Sequence, residues 1–125
     1  MTFLYIAIFA LIGAFSRYGH TIVVQRALGR SFPFATLSIN IVGSFLMGFL
    51  FYETLKYAAI SPAMRTGILT GGVGTYTTFS TFSLETLNLI ENGEAAKAGL
   101  YVILSVLLSM LGTALGAYLS HNLGV

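Results

Sequence analysis

The chain has no cysteine, which excludes disulfides, thiolate metal sites and thiol redox chemistry. Aspartate is also missing: the four acidic residues are Glu53, Glu85, Glu91 and Glu94, and only Glu85 falls within an expected membrane helix. Charged residues make up 8% of the sequence, and the six Lys and Arg are scattered. They offer neither a nucleic-acid footprint nor a polybasic lipid-binding block. His20 and His121 stand near span ends with no second ligand at helical spacing, so neither a metal site nor a catalytic histidine is expected. An enzyme is not expected. The N-terminus, MTFLYIAIFALIGAF, lacks a basic leader and runs on past the length of a signal peptide; it is read as a retained first helix.

What is abundant is hydrocarbon. Of 125 residues 56% are hydrophobic, and the mean hydropathy of +0.86 is that of an integral membrane protein. A bilayer crossing takes about 20 apolar residues. The sequence therefore predicts one all-α transmembrane domain, 1–125, with helices over 3–24, 34–52, 63–90 and 98–119 and the third helix broken near 74–79. Gln25 to Ser31 form the first polar turn, and Pro33 suits the first turn of the next helix. Glu53, Lys56 and Ser61-Pro62 close the second span, and Glu91, Asn92, Gly93 and Glu94 separate the third from the last.

Small residues recur at four-residue spacing: Gly67 with Gly71, Ser44 with Gly48, Gly112 with Gly116, and Ser105 with Ser109. They allow close helix approach, either within one bundle or at a dimer face. Topology follows the Lys and Arg bias across the membrane. One side would carry Lys56 and Arg65, the other Arg26, Arg30 and Lys97. So even a balance predicts insertion in both orientations and an antiparallel homodimer; the alternative is that Arg17 or a partner chain fixes one orientation.

Polar sequence is concentrated in GGVGTYTTFSTFSLE, Gly71 to Glu85. At bilayer depth, helix-breaking polar sequence is tolerated where freed backbone groups face protein or a water-filled cavity. Phe79 and Phe82, three apart, share a face of a resumed helix, interleaved with Thr77, Thr78, Ser80, Thr81 and Ser83. Ring edges are electropositive. Together with hydroxyl donors they give an anion weak, multi-site stabilisation without a trapping charge. Asn40, in the second span, either forms an interhelical hydrogen bond or donates to an anion. Arg17 either snorkels to the interface or draws anions into a vestibule. GGVGTYTT lacks the Lys-Ser/Thr ending of a phosphate loop, but a carbonyl-lined Na+ or K+ site remains open.

At these residues the chain resembles the Fluc family of fluoride channels, also called CrcB-like proteins. The likeness covers essentially the full length. It is carried by Gly13-Ala14-Phe15-Ser16-Arg17, by Thr36-Leu37-Ser38-Ile39-Asn40-Ile41-Val42-Gly43-Ser44-Phe45, and by the specific run Thr77-Thr78-Phe79-Ser80-Thr81-Phe82-Ser83 with Glu85. The resemblance implies a dual-topology antiparallel homodimer in the cell membrane, in a bacterium the inner membrane. It would release fluoride passively through two pores and so protect the cell from fluoride toxicity. Carried over by position, Asn40, Phe79, Phe82, Ser80, Thr81, Tyr101, Ser105 and Ser109 would line the pore, with Arg17 and Glu85 at the vestibule. Backbone carbonyls of Gly74 and Thr77 would hold a structural, untransported Na+. Gly74-Thr75 stands where similar proteins have two adjacent glycines, and Ala35 where a glycine is common.

Other classes make different demands. A proton-coupled small multidrug exporter would need a membrane carboxylate in the first helix, and none is there. A cation channel using GVGTYTT as its filter and a purely structural subunit are distinguished by ion flux.

Overall fold

The structure is a computed structural model and describes residues 1–123; of the expected domain 1–125, Gly124 and Val125 lie outside the described residues. Among those residues every regular element is helical. Three helices are long and apolar enough to cross a bilayer: α1, Thr2–Leu28; α2, Phe34–Glu53; and α6, Ala95–Asn122. A fourth helical region joins α2 to α6 in shorter pieces: α3, Pro62–Thr66; a π-helical stretch, Gly67–Val73; α4, Gly74–Tyr76; and α5, Phe79–Glu91.

Several boundaries move outward from the sequence expectation, the end of α6 among them, from 119 to Asn122. α1 continues past Val24 to Leu28, because Gln25 and Arg26 are good helix formers. It stops where Gly29, at φ 75°, turns left-handed and returns its N–H to the Gln25 carbonyl. α6 begins at Ala95 rather than 98, since Ala95, Ala96 and Lys97 favour helix.

The third region differs more. A break was expected near 74–79, yet Gly74–Tyr76 stays helical and only Thr77 (φ −80°, ψ 161°) and Thr78 (φ −150°, ψ 120°) are extended. Helix resumes at Phe79, the last position of the expected break. Thr78 is the reason. Its hydroxyl oxygen accepts from the Thr81 N–H at 3.2 Å, an N-cap that ends the extended pair at once.

The small-residue stripes are used inside the chain. A Cβ on Gly48 would collide with the Thr113 backbone, and one on Gly116 with the Phe45 carbonyl, so α2 and α6 are in backbone contact. Likewise Gly71 lies against the Ile6 backbone and Gly13 against the Gly72 carbonyl, seating α1 on the π-helical stretch. Large apolar side chains such as Phe3, Phe15 and Leu111 point outward, as a lipid-facing surface requires.

One end of the molecule is closed by a polar knot. Glu53 Oε2 accepts from Lys56 Nζ at 2.9 Å and from Ser120 Oγ at 2.7 Å. Lys56 also donates to the Ser120 carbonyl. Arg65 Nε donates to Thr54 Oγ1 at 3.1 Å, and its guanidinium donates to the Phe51 carbonyl at 2.7 Å. Cations thus satisfy the last carbonyls of α2 and α6.

Candidate functional site

Asn40 meets the extended pair. Its Nδ2 donates to the Thr78 carbonyl at 3.0 Å, and its Oδ1 accepts from the Thr78 N–H at 2.9 Å. Of the two expected roles the hydrogen bond between elements is formed; an amide carries two N–H groups, and Thr78 takes only one. In a continuous helix the Thr78 N–H would bond the Gly74 carbonyl. Here Asn40 intercepts it, and no hydrogen bond to the Gly74 carbonyl is found among the described residues.

Five of the sequence-predicted pore residues come together. Asn40, Phe79, Phe82, Ser105 and Ser109 line one open cavity of about 410 Å3, with Thr77, Thr78 and Thr113 also on its wall. No cationic side chain lines it. The Phe79 and Phe82 rings stand 5.5 Å apart at 57°, and Phe79 is 78% exposed. Ser105 is 6% exposed, and its hydroxyl has no hydrogen-bond partner among the described residues. Buried hydroxyls are ordinarily bonded, because leaving one unmade costs about 1–3 kcal/mol.

Three residues sit elsewhere. Tyr101 is fully buried behind the wall: its ring meets Phe82 edge-on at 5.1 Å and its hydroxyl donates to Glu85 at 2.9 Å. It braces Phe82 instead of lining the cavity. Ser80 follows Phe79 by one position, about 100° around the helix, and is exposed away from the cavity. Thr81 lines a second cavity of about 370 Å3, together with Arg17 and Glu85. Its hydroxyl is already engaged with Thr78. Arg17 and Glu85 thus share a chamber, separate from the five-residue cavity, and no ion pair joins them among the described residues.

For a cation, no group of three or more His, Asp or Glu side chains occurs among the described residues. The available donors are backbone oxygens. The released Gly74 carbonyl and the carbonyl of extended Thr77 are hard oxygens suited to Na+; one chain supplies only these two of the expected set.

Comparison with known proteins bears on the same residues. The family model described as CrcB-like protein, Camphor Resistance (CrcB), matches residues 4–117. The chain belongs to the CrcB-like family. A relative from Acidithiobacillus ferrooxidans, named fluoride-specific ion channel FluC, is 60% identical over 121 residues, 97% of each chain. Relatives of the same name from Magnetococcus marinus and Syntrophotalea carbinolica are 46% and 42% identical, covering 93% and 98% of this chain and 94% and 100% of their own. These CrcB-like relatives are named as channels, in keeping with the expectation of no enzyme, and the apolar helices make this a multi-pass membrane protein.

Within the CrcB-like fold, sequence reasoning missed Thr78 as both N-cap and Asn40 partner. Its signal was present: a threonine three residues before Thr81, at the head of a helical repeat, is the spacing of a cap. It also missed His20. The ring engages Tyr76 and, at 2.9 Å, Ser38, contacts that no local spacing announces.

Proposed function

We propose that this chain forms a fluoride-selective channel. One observation carries the proposal: the unpaired hydroxyl of Ser105, buried on the wall of a cavity shared with Asn40, Phe79 and Phe82. Fluoride is small and strongly hydrated, so it passes only where its water is replaced by compact donors. Ser105 and Ser109 hydroxyls, the second Asn40 N–H and the phenyl edges are such donors. Larger halides exchange less favourably in the same space. The names carried by the relatives agree with this reading.

The cavity is open on one side, and a second copy would close it. Pro62–Glu91 is then the third span, interrupted at Thr77–Thr78, and residues 1–125 form one channel domain. Near-equal charge on the two faces supports an antiparallel, dual-topology homodimer, with two pores. In such a dimer the Gly74 and Thr77 carbonyls of both copies converge on a structural Na+, which would hold the interrupted spans together and is not transported. Arg17 and Glu85 form the vestibule. Flow is passive, so in a bacterial inner membrane fluoride leaves a loaded cytoplasm down its gradient and toxicity is relieved. The cation-filter alternative is disfavoured because Gly67–Tyr76 is helical, whereas successive carbonyls line a filter only from extended backbone.

Ion efflux from proteoliposomes tests the reading. Rapid fluoride efflux with slow chloride efflux is expected; equal chloride efflux, or no fluoride efflux with Na+ present, overturns it. Removing Na+ should abolish flux, and unchanged flux would refute the structural cation. Because the chain has no cysteine, one cysteine introduced at Thr2 reports topology cleanly. Labelling from both membrane faces is expected, and labelling from one face alone refutes dual topology.

A further inference from the structure

His20 lies on α1, which contributes nothing to the wall of the cavity, yet it touches α2, which lines that wall, and α4, which leads directly into the extended pair on it. Its Nε2 is 2.9 Å from Ser38 Oγ on α2, and its Nδ1 meets the Tyr76 hydroxyl at the end of α4. The proton positions follow from counting donors. With the Ser38 Oγ hydrogen given to the Ala35 carbonyl at 2.9 Å, Ser38 accepts from His20, and the ring proton is assigned to Nε2. Neutral imidazole then has a bare Nδ1, which accepts from the Tyr76 hydroxyl. The bonds run one way: Tyr76 to His20 to Ser38 to Ala35.

Tyr76 is the last helical residue before extended Thr77 and Thr78. The extended pair is therefore held at both ends by side chains from other helices, by His20 through Tyr76 and by Asn40 at Thr78. Such a segment needs both anchors. Extended backbone inside a bundle has no helical hydrogen bonds to fix its register, and a small rotation at Tyr76 would carry along the Thr77 carbonyl and the start of α5, where Phe79 stands.

We propose that His20 is a positioning residue for conduction: as the Nε2–H tautomer it pins Tyr76, and through it the extended pair that orients Phe79 toward the cavity. The proposal rests on the channel reading given above. Imidazole suits the task because it offers one acceptor and one donor on a rigid plane, a combination that glutamine reproduces and leucine does not.

Two measurements test it. With His121→Asn, His20 is the sole imidazole, and 15N-histidine spectra of the reconstituted chain should show Nε2 protonated and Nδ1 bare. Tyr76→Phe should shift the Nδ1 resonance while Nε2–H persists. In proteoliposomes, His20→Leu and Tyr76→Phe should each lower fluoride flux about tenfold, the scale of one unmade buried hydrogen bond, whereas His20→Gln should stay within about threefold of wild type. Size-exclusion profiles check assembly, and Tyr76→Phe serves where His20→Leu fails to fold. An Nδ1–H tautomer, an Nδ1 resonance indifferent to Tyr76→Phe, or wild-type flux in Tyr76→Phe overturns the proposal while the channel reading stands. A wild-type chain that passes no fluoride overturns the channel reading and the positioning role together.

Discussion

The chain has two concentrations of polar groups in contact with α2 and α6, and they are built on opposite principles. At one end, Glu53, Lys56, Ser120, Thr54 and Arg65 answer one another's hydrogen bonds and close the last turns of two helices. In the cavity, Asn40 and Thr78 are paired, but Ser105 is left without a partner although it is more buried than either. A satisfied cluster rigidifies a fold; a buried group without a partner is the exception that calls for an explanation. Under the proposed channel function the contrast separates stability from conduction, and substitutions can be chosen to cross it.

The largest effect is expected at Asn40, which belongs to both categories. Asn40→Ala removes both partners of the Thr78 backbone, and two unmade groups should cut fluoride flux on the order of a hundredfold. Asn40→Asp is the sharper test. An ionised carboxylate still accepts from the Thr78 N–H but puts negative charge on the cavity wall. Flux should vanish, and the thermal unfolding midpoint should fall because the second carboxylate oxygen faces the Thr78 carbonyl with no proton to give it; wild-type flux in this variant would show that anions do not use the cavity.

Phe82→Ile comes next. It removes a ring edge and also the brace against Tyr101, whose ring lies 5.1 Å away. A fall of about tenfold in flux, with weaker discrimination against chloride, is the expected result in paired efflux assays. Ser105→Ala should lower flux by a smaller factor of about five while leaving stability unchanged or slightly higher, since the hydroxyl it deletes makes no bond in the fold. A clear loss of stability there would show that the hydroxyl has a structural partner, and the contrast between the two clusters would collapse.

The helices were legible because their apolar runs are long and their stops are chemical: Gly29 after α1, Ser61-Pro62 before α3, Gly93 before α6. The place of the interruption was harder to read. Glycines 71, 72 and 74 drew attention as helix breakers, but the first two pack on α1 at Ile6 and Phe9, which overrides their low helix propensity, and two threonines carry the extension instead. Phe79 and Phe82 shared a face as their spacing requires, and Asn40, Ser105 and Ser109 joined them. Ser80, Thr81 and Tyr101 did not, because membership of a motif says nothing about the angle at which a side chain leaves its helix. The His20 to Tyr76 contact joins residues 56 positions apart, a distance at which periodicity carries no information.

The smallest effect is expected at the other pole of the comparison. Ser120 is fully buried and donates to Glu53, so Ser120→Ala should lower stability by the loss of that hydrogen bond and leave flux per folded channel unchanged. Chemical or thermal unfolding in detergent measures the first quantity, and efflux normalised to incorporated protein the second. The double variant Ser105→Ala with Ser120→Ala then makes the contrast quantitative. The two residues share no partner, so the flux defect of one and the stability defect of the other should appear together unchanged, as independent sites add. A flux defect that deepens when the knot is loosened would mean that the α2 and α6 ends transmit their packing to the cavity, and that the separation of stability from conduction holds only while the knot is tied.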